Sequence, residues 1–171
     1  MGSRRPIVNT GTLTFFCGKM GAGKSTKAKE VARETNAVLL CEDEWLAALF
    51  PGEISSLEDY VKRSKRLKPQ VKKLVQSILK TGTNVVMDFP ANTVQQREWF
   101  RGIFTEVGAP HRLVYIDATD EVCLQQIANR RLEQPERAAT DTAEMFETVA
   151  QYFAEPSPEE GFAIARVARN A

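Results

Sequence analysis

The stretch "GKMGAGKS", Gly18 to Ser25, decides how the rest of the chain is read. It matches G-x-x-x-x-G-K-[ST], follows the β-prone run "LTFFC" (13–17) and opens a run of small apolar and charged residues at helical spacing (24–34). A strand before that spacing and a helix after it is the context that makes it a phosphate loop. The glycines let the backbone curl until successive N–H groups point inward, and the helix N-terminus adds about half a positive charge at the same place. Gly18, Lys19, Met20, Gly21, Ala22, Gly23, Lys24 and Ser25 are therefore expected to cradle nucleotide phosphates, with Lys24 reaching the outer ones and Ser25 holding Mg²⁺. Thr26 either touches the α-phosphate or simply occupies the first helical turn.

Outward from the loop, apolar runs alternate with helical patterns. Residues 37–41 predict a second strand and "WLAALF" a short helix stopped by Pro51 and Gly52. The segment "SSLEDYVKRSKRLKPQVKKLVQSILKTG" carries apolar residues near a 3.6 period, Ser55 and Glu58 spaced as a capping box, and Gly82 as a stop. Pro69 lies inside it, and because proline removes a helical hydrogen bond and crowds the preceding turn, a kink or restart is expected near residue 68. "NVVMDF" (84–89) is apolar without alternation, as a strand covered on both faces is. A helix (94–107), a strand (112–117), a helix ending at Pro135, a helix (143–153) and a last strand "FAIARV" follow. Strands alternating with helices mean parallel strands and right-handed crossovers, an α/β sheet with helices on both faces and ligands at the carboxyl ends of the strands.

The 171 residues suit a single domain, with a core from about 11 to 168 and residues 1–10 as an N-terminal extension. The formal charge of +1 argues against a global polyanion-binding surface. Three widely spaced cysteines in apolar runs, Cys17, Cys41 and Cys123, suit buried thiols in a reducing compartment, and no apolar run reaches the length of a membrane span. The start "MGSRRPIVNT" has no signal-peptide core, and Pro6 stands where a myristoylation motif wants Ser or Thr, so a cytoplasmic location is expected.

Acidic residues fall at the predicted strand ends. Asp88 closes "VVMD", where a carboxylate can steer Mg²⁺ or merely cap a turn. "CEDEW" places Asp43 after strand two, where it can accept the proton of an acceptor hydroxyl or cap the short helix, with Glu42 and Glu44 as solvated neighbours. Arg130 and Arg131 late in the fifth helical segment, with Arg137 past the proline, are candidates to neutralise phosphate charge, Arg130 and Arg131 ahead of Arg137; helix-dipole complementation is the alternative. Lys62, Arg63, Lys65, Arg66, Lys68, Lys72 and Lys73 crowd one helix, as a solvated basic face or an anion-binding one. His111 is expected at the surface in a loop, without metal partners, and Trp45 and Trp99 in the core rather than as stacking platforms.

With these residues in place, the chain from Leu13 to Val167 resembles the small P-loop kinases related to zeta toxins, chloramphenicol phosphotransferase and the kinase domain of polynucleotide kinases. The resemblance implies a five-stranded parallel sheet of order 2-3-1-4-5, ATP and Mg²⁺ as ligands, and γ-phosphoryl transfer to a hydroxyl of a small-molecule or nucleotide-type acceptor. It maps the family pattern onto Gly18 to Ser25, Asp43, Asp88, Arg97, a strand ending at Asp117, lid arginines Arg130 or Arg131, and a closing Phe153, Pro156, Glu160 and Gly161. It implies Lys24, Asp43, Arg130 and Arg131 as catalytic, Arg130 as an ATP contact, and Ser25 with Asp88 at the metal. "DFPA" (88–91) replaces the family's "DGTF", which alters the acceptor side. An ATP-hydrolysing switch or accessory protein and an RNA- or DNA-end kinase are the alternatives, and the missing N-K-x-D base-reading tetrad favours ATP over GTP.

Overall fold

The computed structural model describes residues 9–170, so of the expected N-terminal extension all but Asn9 and Thr10 lies outside the described residues. Five strands, β1 (Leu13–Cys17), β2 (Val38–Cys41), β3 (Val85–Pro90), β4 (His111–Ala118) and β5 (Ile164–Arg169), form one sheet in the order β2-β3-β1-β4-β5. All four pairings are parallel, as the resemblance implied. Among the described residues six α-helices connect them: α1 (Lys24–Glu34), α2 (Glu42–Leu49), α3 (Leu57–Lys80), α4 (Val94–Glu106), α5 (Asp120–Glu133) and α6 (Ala143–Ala150), with 3-10 turns at Pro135–Arg137 and Pro158–Glu160.

The sheet is apolar on both sides because helices cover both. On one face Phe15, Met87 and Leu113 meet Leu46 of α2, Leu67, Val71, Val75 and Leu79 of α3, and Phe100 and Phe104 of α4. Phe15 and Phe100 stack with centroids 4.4 Å apart. On the other face Phe16, Val86, Val114 and Ile116 meet Ala28 and Val31 of α1, Cys123 and Ile127 of α5, and Phe146 of α6. β1, at the centre, is buried along its whole length, so the loop that leaves it starts from a fixed point.

Four expectations are corrected. α3 runs through Pro69 without a restart. Pro69 and Lys65, whose carbonyl loses its amide partner, are both exposed, so water can take the missing bond while the buried row from Leu67 to Leu79 holds the helix to the core. The cap lies one residue later than expected: the Ser56 hydroxyl accepts from the Asp59 amide, and the Asp59 carboxylate accepts from the Ser55 amide. His111 is the first residue of β4, half-buried, its ring stacked on Phe104 at 4.0 Å and its Nε2 accepting from the Ala163 amide. Burial, with Arg101 nearby, lowers its pKa. Glu42 is 2% exposed and not a solvated neighbour.

Candidate functional site

The phosphate loop is held from four sides. Gly21 and Gly23 both take positive φ, 79° and 101°. A Cβ on Gly21 would come within 2.5 Å of the Cys123 carbonyl, so packing and backbone conformation both demand glycine there; at Gly23 the nearest atoms belong to the movable Arg169 guanidinium, and it is the backbone conformation that favours glycine. Arg169, closing β5, donates to the Ala22 carbonyl at 3.1 Å, and Lys19 reaches Asp120 of α5 at 2.8 Å. Asn92, just before α4, accepts from the Gly18 amide at 2.9 Å through its side chain, and its carbonyl accepts from the Ala154 amide. Neither Asn92 nor Arg169 announces itself in the sequence, since both act on the loop from more than seventy residues away.

Lys24 folds over the loop, its ammonium donating to the carbonyls of Gly18 and, at 3.0 Å, Lys19. Burial lowers its pKa; Cys17 and Asp88 counter the shift, and the guanidinium of Arg130 is near enough to add to it. A curled glycine-rich backbone, a half-buried lysine and the α1 N-terminus fit a nucleotide's phosphates. Ser25 and Thr26 are exposed in the first turn of α1. Asp88 lies within β3, beside Cys41 of β2, whose thiol is 3.6 Å from its carboxylate. Among the described residues no three His, Cys, Asp or Glu side chains are grouped to hold a metal; Mg²⁺, which keeps several waters and takes one or two carboxylates, needs no such group.

The three acidic residues after β2 separate sharply. Cys41 is the N-cap of α2 and makes no side-chain cap bond, so Asp43 is a first-turn residue and not a cap. It is exposed, as is Glu44. Glu42 turns inward, where Tyr60 and, at 2.8 Å, Ser64 donate to its carboxylate from one face of α3. Burial raises its pKa; the two hydroxyls and Lys68 oppose the shift.

The arginines also divide. Arg97 is fully buried and donates to the Glu160 carboxylate and to the carbonyls of Ala91 and Ala154, so it fastens the closing segment to the start of α4. Arg130 donates to Asp141 at 2.7 and 2.8 Å, and Arg137 donates to the same carboxylate at 2.8 Å. Arg137 Nη2 lies 3.6 Å from Asp43, a charge contact longer than a good hydrogen bond. Arg131 is exposed, and its side chain makes no hydrogen bond or ion pair among the described residues. An open groove of about 310 Å³ runs between the start of α3, at Ser55 and Ser56, and the segment bearing Ala139, Thr142 and Met145.

Of the basic run, Arg63 pairs with Glu53 and Lys72 with Glu106, and Lys68 lies over the Trp99 ring at 5.3 Å. Lys62, Lys65, Arg66 and Lys73 are exposed. Trp45 and Trp99 pack at the edge of the core, and Phe89 of "DFPA" is buried 5.9 Å from Trp99.

Residues 13–156, most of the chain, match the model of the AAA domain family AAA_33. The chain belongs to that family. No curated protein matches it in sequence. Among solved structures it is similar to Kti12 of Chaetomium thermophilum, solved with ADP-AlF3 (TM-score 0.66, 16% identity, 91% of this chain and 88% of that one). It is similar to the Mycobacterium tuberculosis APS kinase CysC, solved with AMPPNP and APS (TM-score 0.61, 18% identity, 93% and 88%). A sugar kinase from Janibacter sp. also matches (TM-score 0.57, 16% identity, 93% and 85%). At these identities the likeness is one of fold alone. No described helix is long and apolar enough to cross a membrane.

Proposed function

We propose that this AAA_33 protein binds ATP and transfers its γ-phosphoryl group to a hydroxyl of a small-molecule or nucleotide-type acceptor. The observation that carries this is the charge cluster beside the cradle: α5 lies against Gly21 through Cys123 and Ile127, Arg130 one turn further along α5 shares the buried Asp141 with Arg137, and Arg137 Nη2 lies 3.6 Å from Asp43. A protein that only holds a nucleotide needs the cradle; one that transfers a phosphoryl group also needs a carboxylate for the acceptor and cations for the charge that moves.

In this reading the loop amides from Gly18 to Ser25 and Lys24 bind the β and γ phosphates, with Thr26 at the next position along α1. Ser25 and Asp88 would hold Mg²⁺, which when bound neutralises charge on the phosphate oxygens. Asp43 accepts the acceptor's hydroxyl proton, the freed oxygen forms the new P–O bond, and the bond to the β-phosphate oxygen breaks to release ADP. In this reading Arg130 and Arg137, rather than Arg131, meet the developing charge; what supports it is that both are held on the buried Asp141 and that Arg137 lies 3.6 Å from Asp43. The Arg137 contact at 3.6 Å leaves Asp43 open to a substrate hydroxyl. The test is incubation with γ-labelled ATP and a panel of antibiotics, sugars, nucleosides, nucleotides and RNA ends. Labelled product lost in Lys24→Ala supports transfer; release of labelled phosphate with every acceptor refused favours an ATP-hydrolysing switch.

A further inference from the structure

Asp141 stands immediately before the Thr142 cap of α6 and is 1% exposed. It takes Arg130 through Nε and Nη2 and Arg137 through Nε, while both arginine side chains stay 30% exposed. Exposed ion pairs hold long side chains loosely. This one differs because the buried partner is the carboxylate: leaving it without a cation is strongly unfavourable, so both guanidiniums are kept in place. A guanidinium is a rigid planar fork, and fixing one edge fixes where its other N–H groups point. Arg137 has an edge left over, and its Nη2 lies 3.6 Å from Asp43; Arg130 stands one turn along α5 from Ile127, whose side chain lies against Gly21 of the loop. A staple of this segment to α5 would need Arg130 alone. The second arginine, bonded to the same carboxylate and extended toward α2, is what a staple leaves unexplained.

We propose that Asp141 is a positioning residue of the transfer site, holding Arg130 toward the phosphate cradle and Arg137 toward Asp43 so that both cations are in place before the phosphoryl group moves. The proposal rests on the kinase reading. Its physical content is preorganisation: donors already aimed at developing charge need no rearrangement at the moment of reaction. Two guanidiniums brought together without Asp141 would repel one another and disperse into water.

Titration calorimetry on the full chain tests it, with MgADP and with MgADP plus aluminium fluoride, a mimic of the transferring phosphoryl group. The wild type should bind the fluoride complex more tightly than MgADP. Asp141→Asn, which keeps the shape and removes the charge, should weaken the fluoride complex by on the order of tenfold or more while changing MgADP affinity far less, and Asp141→Glu should recover most of the loss. A melting curve accompanies each variant; if Asp141→Asn does not fold, Arg137→Gln, which leaves Asp141 paired with Arg130, should show the same selective loss in smaller degree. Equal loss for both ligands, or no loss, overturns the role of Asp141 and leaves transfer standing. A wild type that does not prefer the fluoride complex overturns the kinase reading and the proposal with it.

Discussion

Two arginine–carboxylate clusters in this molecule use the same chemistry to opposite ends. In the first the arginine is buried: Arg97 is fully enclosed, and it is satisfied by Glu160 and by two backbone carbonyls. In the second the carboxylate is buried: Asp141 is enclosed and its arginines are not. An enclosed guanidinium with its donors taken has nothing left to offer a ligand, whereas a guanidinium held at one edge is aimed and still free to donate. Which member of an ion pair is buried therefore separates a rivet from a tool more surely than the presence of the pair.

Breaking the first cluster should give the largest stability effect. Arg97→Met leaves Glu160 half-enclosed without its cation and strands the Ala91 and Ala154 carbonyls, so a loss of about 3–5 kcal/mol is expected by urea denaturation. A loss under about 1 kcal/mol would mean that the closing segment is held chiefly by Phe153, Pro156 and Phe162.

How much of this was legible depended on whether the signal was local. β1, the glycine loop and α1 form one continuous pattern, and the strand–helix alternation led to the observed parallel sheet. Asn92 and Arg169 left no local trace. Glu42 did leave one: it stands three and four residues before Trp45 and Leu46, on the apolar face of α2, and Tyr60 and Ser64 share a face of α3. Arg137 and Asp141 have the spacing of a helical ion pair, yet the stretch "PERAATDT" has no periodicity to suggest that they face one another. Pro69 does not restart the helix because its rule concerns one hydrogen bond, and the buried row of α3 outweighs it.

Glu42 sharpens the comparison as a buried carboxylate held by hydroxyls in place of arginines. Burial raises its pKa above the ordinary 4.5, so its charged form is less favoured in the folded protein than in the unfolded one. Its contribution to stability is present in full below about pH 4.5 and is lost as pH rises through the raised value, at most about 1.4 kcal/mol per pH unit within that window. Thermal melts of Glu42→Gln against the wild type should therefore diverge in the variant's favour as pH rises from 4.5 to 7. Parallel curves would contradict a raised Glu42.

The Asp43 and Arg137 contact should matter least to stability, being exposed and long, with an effect within about 1 kcal/mol. That makes Asp43→Asn the most direct test of a nucleotide cradle joined to a separate acceptor carboxylate. Measured side by side in that variant, ATP affinity should stay near the wild-type value while transfer to the acceptor found in the labelling panel falls by about 10²-fold or more. Unchanged transfer would remove Asp43 from the reaction and contradict the account.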